Sequence, residues 1–294
     1  MKVNKMRKKL LLTAIFSAGL AYGTPCSQDT NTSSTVWVAT SCTSFTNNAT
    51  IDVQEIGGND QTVFPYGVVV NNTNNSPPLN SFTNNGSILS LGTIGNNTNS
   101  GTVIAIYGSG VYSWRPINTF TNNANSTIKI DAQAGNAAAD NSRISLIPNS
   151  IYFGRQVTQV ENSGSIQANV QAGSAEGNNS SVSIYGSSIG FEKQAGTVTN
   201  SGNIQARAVA GSTVGSNSRI FLDYQGLNFT YLLNELVNNP NSVISVEVRA
   251  GDAQGNGSII QLFGRSSYFG NQVTKLTNDG TIQSKASAGS TTGI

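Results

Sequence analysis

Histidine is absent from this 294-residue sequence, so its fourteen Asp and Glu residues are the main candidates for acid–base catalysis. A Ser-His-Asp protease site is therefore excluded, and the usual zinc ligands are reduced to two cysteines. Glycine-rich phosphate loops and calcium-binding nonapeptides are also missing from the sequence. We expect no catalytic residue, no cofactor and no metal site.

A polysaccharide-degrading enzyme is the catalytic alternative, since it needs only two carboxyl groups roughly 5 to 10 Å apart. Asp131 and Glu247 occupy equivalent outward positions of the repeat described below, but three units apart. With two rungs in each unit, this spacing predicts a separation on the order of 29 Å. That distance is outside catalytic reach.

The two cysteines, Cys26 and Cys42, lie sixteen positions apart in the least repetitive part of the sequence that follows residues 1–23, which are described below as a predicted export signal. Disulfides persist in exported proteins, so we predict a disulfide that closes a local loop. Free thiols are one alternative. Lipidation of Cys26 is a weaker one, because Gly23, Thr24 and Pro25 do not match the residues that precede a lipoprotein cysteine.

Two asparagines, Asn31 and Asn178, have an acidic residue two positions before them and a serine two positions after them. This is the extended acceptor pattern of bacterial N-glycosylation, which predicts two possible modification sites. Coincidence explains the pattern equally well in a chain so rich in asparagine, and both interpretations stay open.

The first 23 residues resemble an export signal. Five Lys and Arg residues precede an apolar run over residues 10–20, and small residues follow near Thr24, where we predict cleavage. The run is too short to span a membrane. Removal of this segment leaves 11 basic and 14 acidic residues, a net charge of −3, and takes away the electrostatic support for nucleic-acid binding.

A repeat organises the rest of the chain. An apolar residue, any residue and an asparagine recur seven times, and the asparagines are 37, 38, 40, 38, 38 and 40 positions apart: Asn47, Asn84, Asn122, Asn162, Asn200, Asn238 and Asn278. Such a period indicates a solenoid. We predict that these asparagines stack at one corner, adopt a left-handed turn conformation and pass hydrogen bonds along a ladder.

Strictly alternating apolar residues follow each later asparagine, which predicts a strand with one buried face that includes Ile166, Ile204 and Ile282. A second apolar pair, such as Ile104 with Ile106, follows about twenty positions after the asparagine. The sequence therefore predicts an all-β parallel β-helix of about 38-residue units with two three-sided rungs each. A dozen such rungs would form a rod of about 55 to 60 Å.

Tyrosine and phenylalanine beside glycine, at 152–154 and 268–270, are expected to cover the core or turns rather than to form a sugar platform. The low charge content, with 10% of residues charged, is typical of a solvated repeat surface without a catalytic cluster. These residues are consequently assigned to structure.

Residues 45–289 resemble the passenger domains of bacterial type V autotransporters, in particular adhesin-like forms with Asn- and Gly-rich β-helical repeats. The resemblance is based on phrases such as VTNSGNI at 198–204 and LTNDGTI at 276–282. It implies an outer-membrane barrel after the passenger, and no segment of this sequence has the pattern of one. We therefore expect a truncated passenger at 45–294, after a cap region at 24–44.

The resemblance implies an adhesin or surface spacer without catalysis. Its partner would be a protein or glycan on a host cell or a neighbouring cell. The full-length form would lie at the cell surface, anchored in the outer membrane by the barrel, and a truncated form would be periplasmic or secreted. The alternatives are a surface polysaccharide-degrading enzyme and a nonfunctional fragment of a disrupted gene.

Overall fold

A computed structural model describes residues 24–71 and 76–293. The predicted export signal at 1–23 lies outside the described residues. Within them, all regular elements are β-strands, and no helix is long and apolar enough to cross a membrane.

The described chain forms 28 strands. The first fourteen are β1 (Thr24–Gln28), β2 (Val36–Val38), β3 (Cys42–Asn47), β4 (Thr50–Gly57), β5 (Thr62–Val63), β6 (Tyr66–Val70), β7 (Leu79–Asn84), β8 (Ser87–Ile94), β9 (Val103–Ser113), β10 (Ile117–Asn122), β11 (Thr127–Ala134), β12 (Ala137–Ala138), β13 (Arg143–Phe153) and β14 (Val157–Asn162). The others are β15 (Ser165–Ala172), β16 (Ala175–Glu176), β17 (Ser181–Phe191), β18 (Ala195–Asn200), β19 (Asn203–Ala210), β20 (Thr213–Val214), β21 (Arg219–Phe229), β22 (Leu233–Asn238), β23 (Val243–Ala250), β24 (Ala253–Gln254), β25 (Ile259–Phe269), β26 (Val273–Asn278), β27 (Thr281–Ser287) and β28 (Thr291–Thr292).

The strands stack into four parallel sheets that form the walls of a solenoid. Sheet A has the order β1-β3-β7-β10-β14-β18-β22-β26, and sheet B has the order β4-β8-β11-β15-β19-β23-β27. Sheet C contains the long strands, β2-β6-β9-β13-β17-β21-β25 with β5 beside β9, and sheet D contains the short strands β12-β16-β20-β24-β28. A regular turn passes through A, B, D and C in sequence.

The parallel β-helix and its 38-residue repeat are confirmed, but the division of each unit into two rungs is wrong. Phe82 pairs with Phe120, and Ile166 pairs with Ile204, so paired residues are 38 positions apart. One unit is therefore one four-stranded turn, and the second apolar pair lies on sheet C of the same turn. Alternation reveals which face of a strand is buried but not which strand lies beside it. The seven spacings of sheet A span about 34 Å.

The core fills the space enclosed by sheets A, B and C. Ile166, Ile204 and Ile282 stack on the inner face of sheet B as predicted, with Ile244 between the last two. A row of small residues, which includes the buried Ser150, Ser188 and Ser266, separates two apolar clusters. Ser150 donates its hydroxyl hydrogen bond to the carbonyl of Gln167 on sheet B. The turns thus share one cross-section, and each apolar layer packs against the layers above and below it.

Phenylalanine rings stack along the core, on sheet A in the first turns and on sheet C in the later ones. Phe45, Phe82 and Phe120 lie on sheet A, and Phe153 on sheet C takes over with its ring 5.3 Å from that of Phe120. The later stack continues on sheet C through Phe191, Phe229 and Phe269. Sheet A carries smaller residues there, such as Val160, so aromatic volume on one wall is matched by aliphatic residues on the other.

The recurrent asparagines form the predicted ladder. Each side-chain amide donates to the side-chain oxygen of the next asparagine at 2.7–2.8 Å, from Asn47 to Asn278. The left-handed conformation predicted for them is wrong, because they end strands of sheet A. Positive φ occurs instead at other asparagines, such as Asn141 (φ 58°) and Asn179 (φ 56°) in the turn before sheet C.

The two longer repeats place their extra residues in the turn after the asparagine. Asn125 (φ 65°) and Asn241 (φ 64°) take the left-handed conformation in these turns. Ser126 donates to the side-chain oxygen of Asn122 at 2.7 Å, and Ser242 does the same to Asn238. The strands that follow keep their register, so the ladder tolerates the insertions.

The first turn contains the region predicted as a cap. The structure joins Cys26 and Cys42 in a disulfide with a Cα–Cα distance of 5.7 Å, which links β1 to β3. Arg115 is buried beside this turn, and donates from Nη1 to the carbonyl of Cys42 at 2.9 Å and from Nε to that of Pro77 at 2.6 Å. Burial lowers the pKa of Arg115.

Candidate functional site

The two carboxylates at equivalent repeat positions lie closer than expected. Asp131 and Glu247 are in one outward column of sheet B, three strand spacings apart, with Asn169 and Arg207 between them. Their separation is therefore about 14 Å rather than 29 Å, because each repeat is one turn. This distance still exceeds the range of a glycosidase pair.

Both carboxylates have partners at the surface. Asp131 contacts the Lys129 ammonium at 2.7 Å, and Glu247 accepts from Arg249 at 2.8 Å and from Arg207 at 3.1 Å. These contacts lower the pKa of Glu247, with the Arg249 hydrogen bond as the largest cause. Within the described part of the chain, no group of three Asp, Glu, His or Cys residues is arranged to hold a metal ion.

The two candidate glycosylation sites differ in the exposure of their serines. Asn31 and Ser33 are both exposed before β2. Asn178 is exposed in the turn after β16, but Ser180 is fully buried and donates to the carbonyl of Ala175 at 3.2 Å. In the folded chain, the first site therefore exposes both its asparagine and its serine, whereas the second does not. The backbone N–H of Thr50 donates to the Asn31 side-chain oxygen at 2.9 Å.

Outward aromatic side chains are confined to one side of the solenoid. The described residues include twelve that point away from the core, and all lie on sheet C or in the segments beside its strands: Trp37, Phe64, Tyr66, Tyr107, Tyr112, Trp114, Tyr152, Tyr185, Phe221, Tyr231, Phe263 and Tyr268. We call this surface the aromatic face. The outward positions of sheets A and B hold Thr, Asn, Gln and charged residues with a few aliphatic ones.

The first part of the aromatic face lies on β6, β9 and β13. Tyr112 is in contact with Tyr66, with Trp114 and with Tyr152, and the ring centroids are 5.1 to 5.9 Å apart. Tyr152 donates its hydroxyl hydrogen bond to Glu192. Burial, followed by the contact with Glu192, raises the pKa of Tyr152.

The second part lies near the other end of the same long strands. Tyr185 stacks on Phe221 with ring centroids 5.0 Å apart, and Phe221 contacts Phe263 at 5.7 Å. Arginines lie over this group, with Arg219 5.4 Å from the centroid of Phe221 and Arg265 5.1 Å from that of Phe263. These distances fit cation–π contacts.

A shallow depression of about 460 Å³ lies between Tyr107 and Tyr185. Ile147 and Ser145 line its base, and Arg143 and Val103 line its side. Tyr107 is backed by Phe64, whose ring stacks on it at 5.7 Å. The depression therefore has an aromatic wall at each end and a cationic side.

The aromatic face was not predicted from the sequence. Phe153 and Phe269 contribute to the core as expected, but Tyr152 and Tyr268 point outward, contrary to their assignment to core or turn covering. The detectable signal was the position of the aromatic residues relative to the second apolar pair: Tyr107, Tyr185 and Phe263 directly follow the pair, and Tyr112, Tyr152 and Tyr268 lie six positions after it. These residues can be recognised as one surface only when each 38-residue repeat is known to form a single turn.

Comparison with known proteins finds no protein family, no curated protein and no solved structure that matches this chain.

Proposed function

We propose that the protein is an exported surface rod of the autotransporter passenger type that binds a partner through its aromatic face and does no chemistry. The observation that supports this proposal is the confinement of twelve outward aromatic side chains to sheet C and the segments beside it. Tyr, Trp and Arg are the residues that contribute most to protein interfaces. An adhesin needs such a surface, whereas a plain spacer does not.

The partner would be a protein or glycan on a host cell or a neighbouring cell. The net charge of −3 after removal of residues 1–23 gives no support to nucleic acid as the partner. Sheet C presents its aromatic residues along stacked turns, so a partner can contact several of them at once.

The proposal can be tested by measuring how well beads coated with the full chain attach to epithelial cells and to bacterial cells. The aromatic-face variant combines Trp114→Ala, Tyr152→Ala and Tyr185→Ala, and the matched control combines Thr121→Ala, Gln133→Ala and Gln171→Ala on sheets A and B. We expect the aromatic-face variant to lose most attachment and the control to keep it, with unchanged circular dichroism in both. Equal attachment of all three proteins would contradict an adhesive role, and release of sugar products would favour the enzyme.

A further inference from the structure

The depression between Tyr107 and Tyr185 has an occupied counterpart farther along sheet C. In one outward column, Tyr107, Ile147, Tyr185, Asp223 and Phe263 follow one another across five adjacent strands, and Ile147 and Tyr185 each directly follow the paired residues Leu146 and Ile184. Two equal gaps result. Each lies between aromatic side chains two strands apart, which is about 10 Å.

Phe221 fills the second gap. Its ring contacts Tyr185 on one side and Phe263 on the other, at 5.0 and 5.7 Å between centroids. The residue in register with Phe221, two strands earlier, is Ser145. The first gap is therefore open because a serine stands where the second gap has a phenylalanine.

The arginines beside the two gaps also occupy equivalent positions. Arg143 is in register with Arg219, also two strands apart. Arg219 lies over the ring of Phe221 and donates to Gln261. The position equivalent to Gln261 is Ser183, which is too short to reach in the same way.

The Arg143 side chain is exposed and makes no hydrogen bond or ion pair with any other residue that the structure describes. A guanidinium with free donors binds a carboxylate well, because two parallel N–H groups match its two oxygens. Ile147 provides an apolar base for a flat ring where Asp223 is found in the filled gap.

We infer that the open gap, lined by Tyr107, Ser145, Ile147, Tyr185 and Arg143, is a slot for an aromatic side chain of a polypeptide partner that carries a carboxylate beside the ring. The ring would stack between the two tyrosines as Phe221 does between its neighbours. The carboxylate would pair with Arg143. This inference rests on the proposed binding role of the aromatic face and names the partner chemistry for it.

The probes are N-acetyltryptophan, its neutral amide and glucuronic acid, added to the full chain with ¹³C-labelled tyrosine rings and followed by NMR. We expect saturable shifts of the Tyr107 and Tyr185 signals with both indole probes, severalfold tighter binding of the acid than of the amide, and no comparable shift with glucuronic acid. The inference would be overturned if only glucuronic acid caused shifts, or if none of the three probes did.

Variants test the equivalence of the two gaps. Ser145→Phe should fill the slot and abolish probe binding, and Phe221→Ser should open a second site for the amide probe. Arg143→Gln, which changes an exposed side chain and should leave the fold intact, should make the acid and the amide bind alike. Gln133→Ala, which changes an exposed side chain on sheet B outside the aromatic face, is the control and should bind as the wild type does.

Two results separate this inference from the proposed function. If Ser145→Phe abolishes probe binding but beads of this variant still attach to cells, the slot is not the adhesive element, so the inference fails as an account of adhesion while the aromatic face stands. If the probes bind and no form of the chain attaches to cells, the proposed adhesin role fails and the slot remains.

Discussion

Seven turns carry the same asparagine at the end of their sheet A strand, whereas one outward column of sheet C reads Tyr107, Ile147, Tyr185, Asp223 and Phe263. The difference follows from solvent access. Each buried amide inside the ladder accepts a hydrogen bond from the amide of one neighbouring turn and donates one to the amide of the other, so a change in one turn removes a hydrogen-bond partner from two others. Water satisfies the outward positions in any combination, which leaves them free to differ and to bind a partner.

The largest effect should come from a break in the buried ladder. Asn84 accepts from Asn47 and donates to Asn122, both at 2.8 Å, so Asn84→Ala should cost about 3 to 5 kcal/mol, because two buried hydrogen bonds are lost and one N–H of Asn47 loses its acceptor. The control is Asn85→Ala. Asn85 donates to Asn48 at 2.7 Å in an exposed ladder, and its loss should cost less than about 1 kcal/mol. Urea denaturation of both variants compares them, and equal losses would show that burial does not decide the effect.

The disulfide lies in the first turn of the solenoid, where it links β1 to β3. Cys26 and Cys42 are separated by 16 positions, and a loop of this size contributes about 3 kcal/mol in the chain-entropy description. The variant with both cysteines replaced by serine should lose amide-exchange protection in β1 and β2 while β15 and β19 keep theirs. Unchanged protection in the first turn would show that the parallel pairing of β1 with β3 is sufficient without the bond.

Arg115 is a non-repeating residue that is buried, unlike the non-repeating residues on the outer surface of sheet C. Arg115→Met should cost about 2 kcal/mol, because the carbonyls of Cys42 and Pro77 lose their donor, and the flexible apolar chain replaces only the volume. Arg155→Met, at an exposed position, is the control and should leave the denaturation midpoint nearly unchanged. A variant at Arg115 as stable as the wild type would show that removal of the buried charge offsets the lost hydrogen bonds.

Sequence patterns predict what repeats and miss what does not. The stacked column of Ile166, Ile204 and Ile282 and the asparagine ladder follow from periods of 2 and 38, because neighbouring turns impose the same environment at each level. The number of turns was wrong. The strands on sheets B and C have equally alternating patterns, and alternation contains no information about which strand is paired with which.

The non-repeating features needed coordinates. Arg115 reads as an ordinary charged residue, and only the fold shows that the carbonyl of Cys42, 73 positions away, accepts its hydrogen bond. Ser145 and Phe221 appear unrelated until sheet C brings them into one column. The candidate slot is thus visible only after the register is known.

The smallest effect is expected at the outward column of sheet B, where Glu247 accepts hydrogen bonds from Arg249 and Arg207. Because the folded chain lowers the pKa of this carboxyl group, the interaction stabilises the protein fully above the unfolded pKa of about 4.3. The stabilisation is lost as the pH falls through the lower folded pKa. For such a partly exposed group in contact with two exposed arginines, it should amount to less than about 1 kcal/mol.

An NMR titration of the Glu247 carboxyl carbon measures this directly. Arg249→Ala should raise the pKa of Glu247 more than Arg207→Ala does, because the Arg249 hydrogen bond is the largest cause of the shift. At about 1 M salt, where the screening length is about 3 Å, the difference between the variants should shrink. A larger rise in the pKa of Glu247 with Arg207→Ala would show that its main contact is the residue on the adjacent strand. The outward residues of sheet B, like the buried asparagines, would then interact chiefly with residues of the adjacent turn.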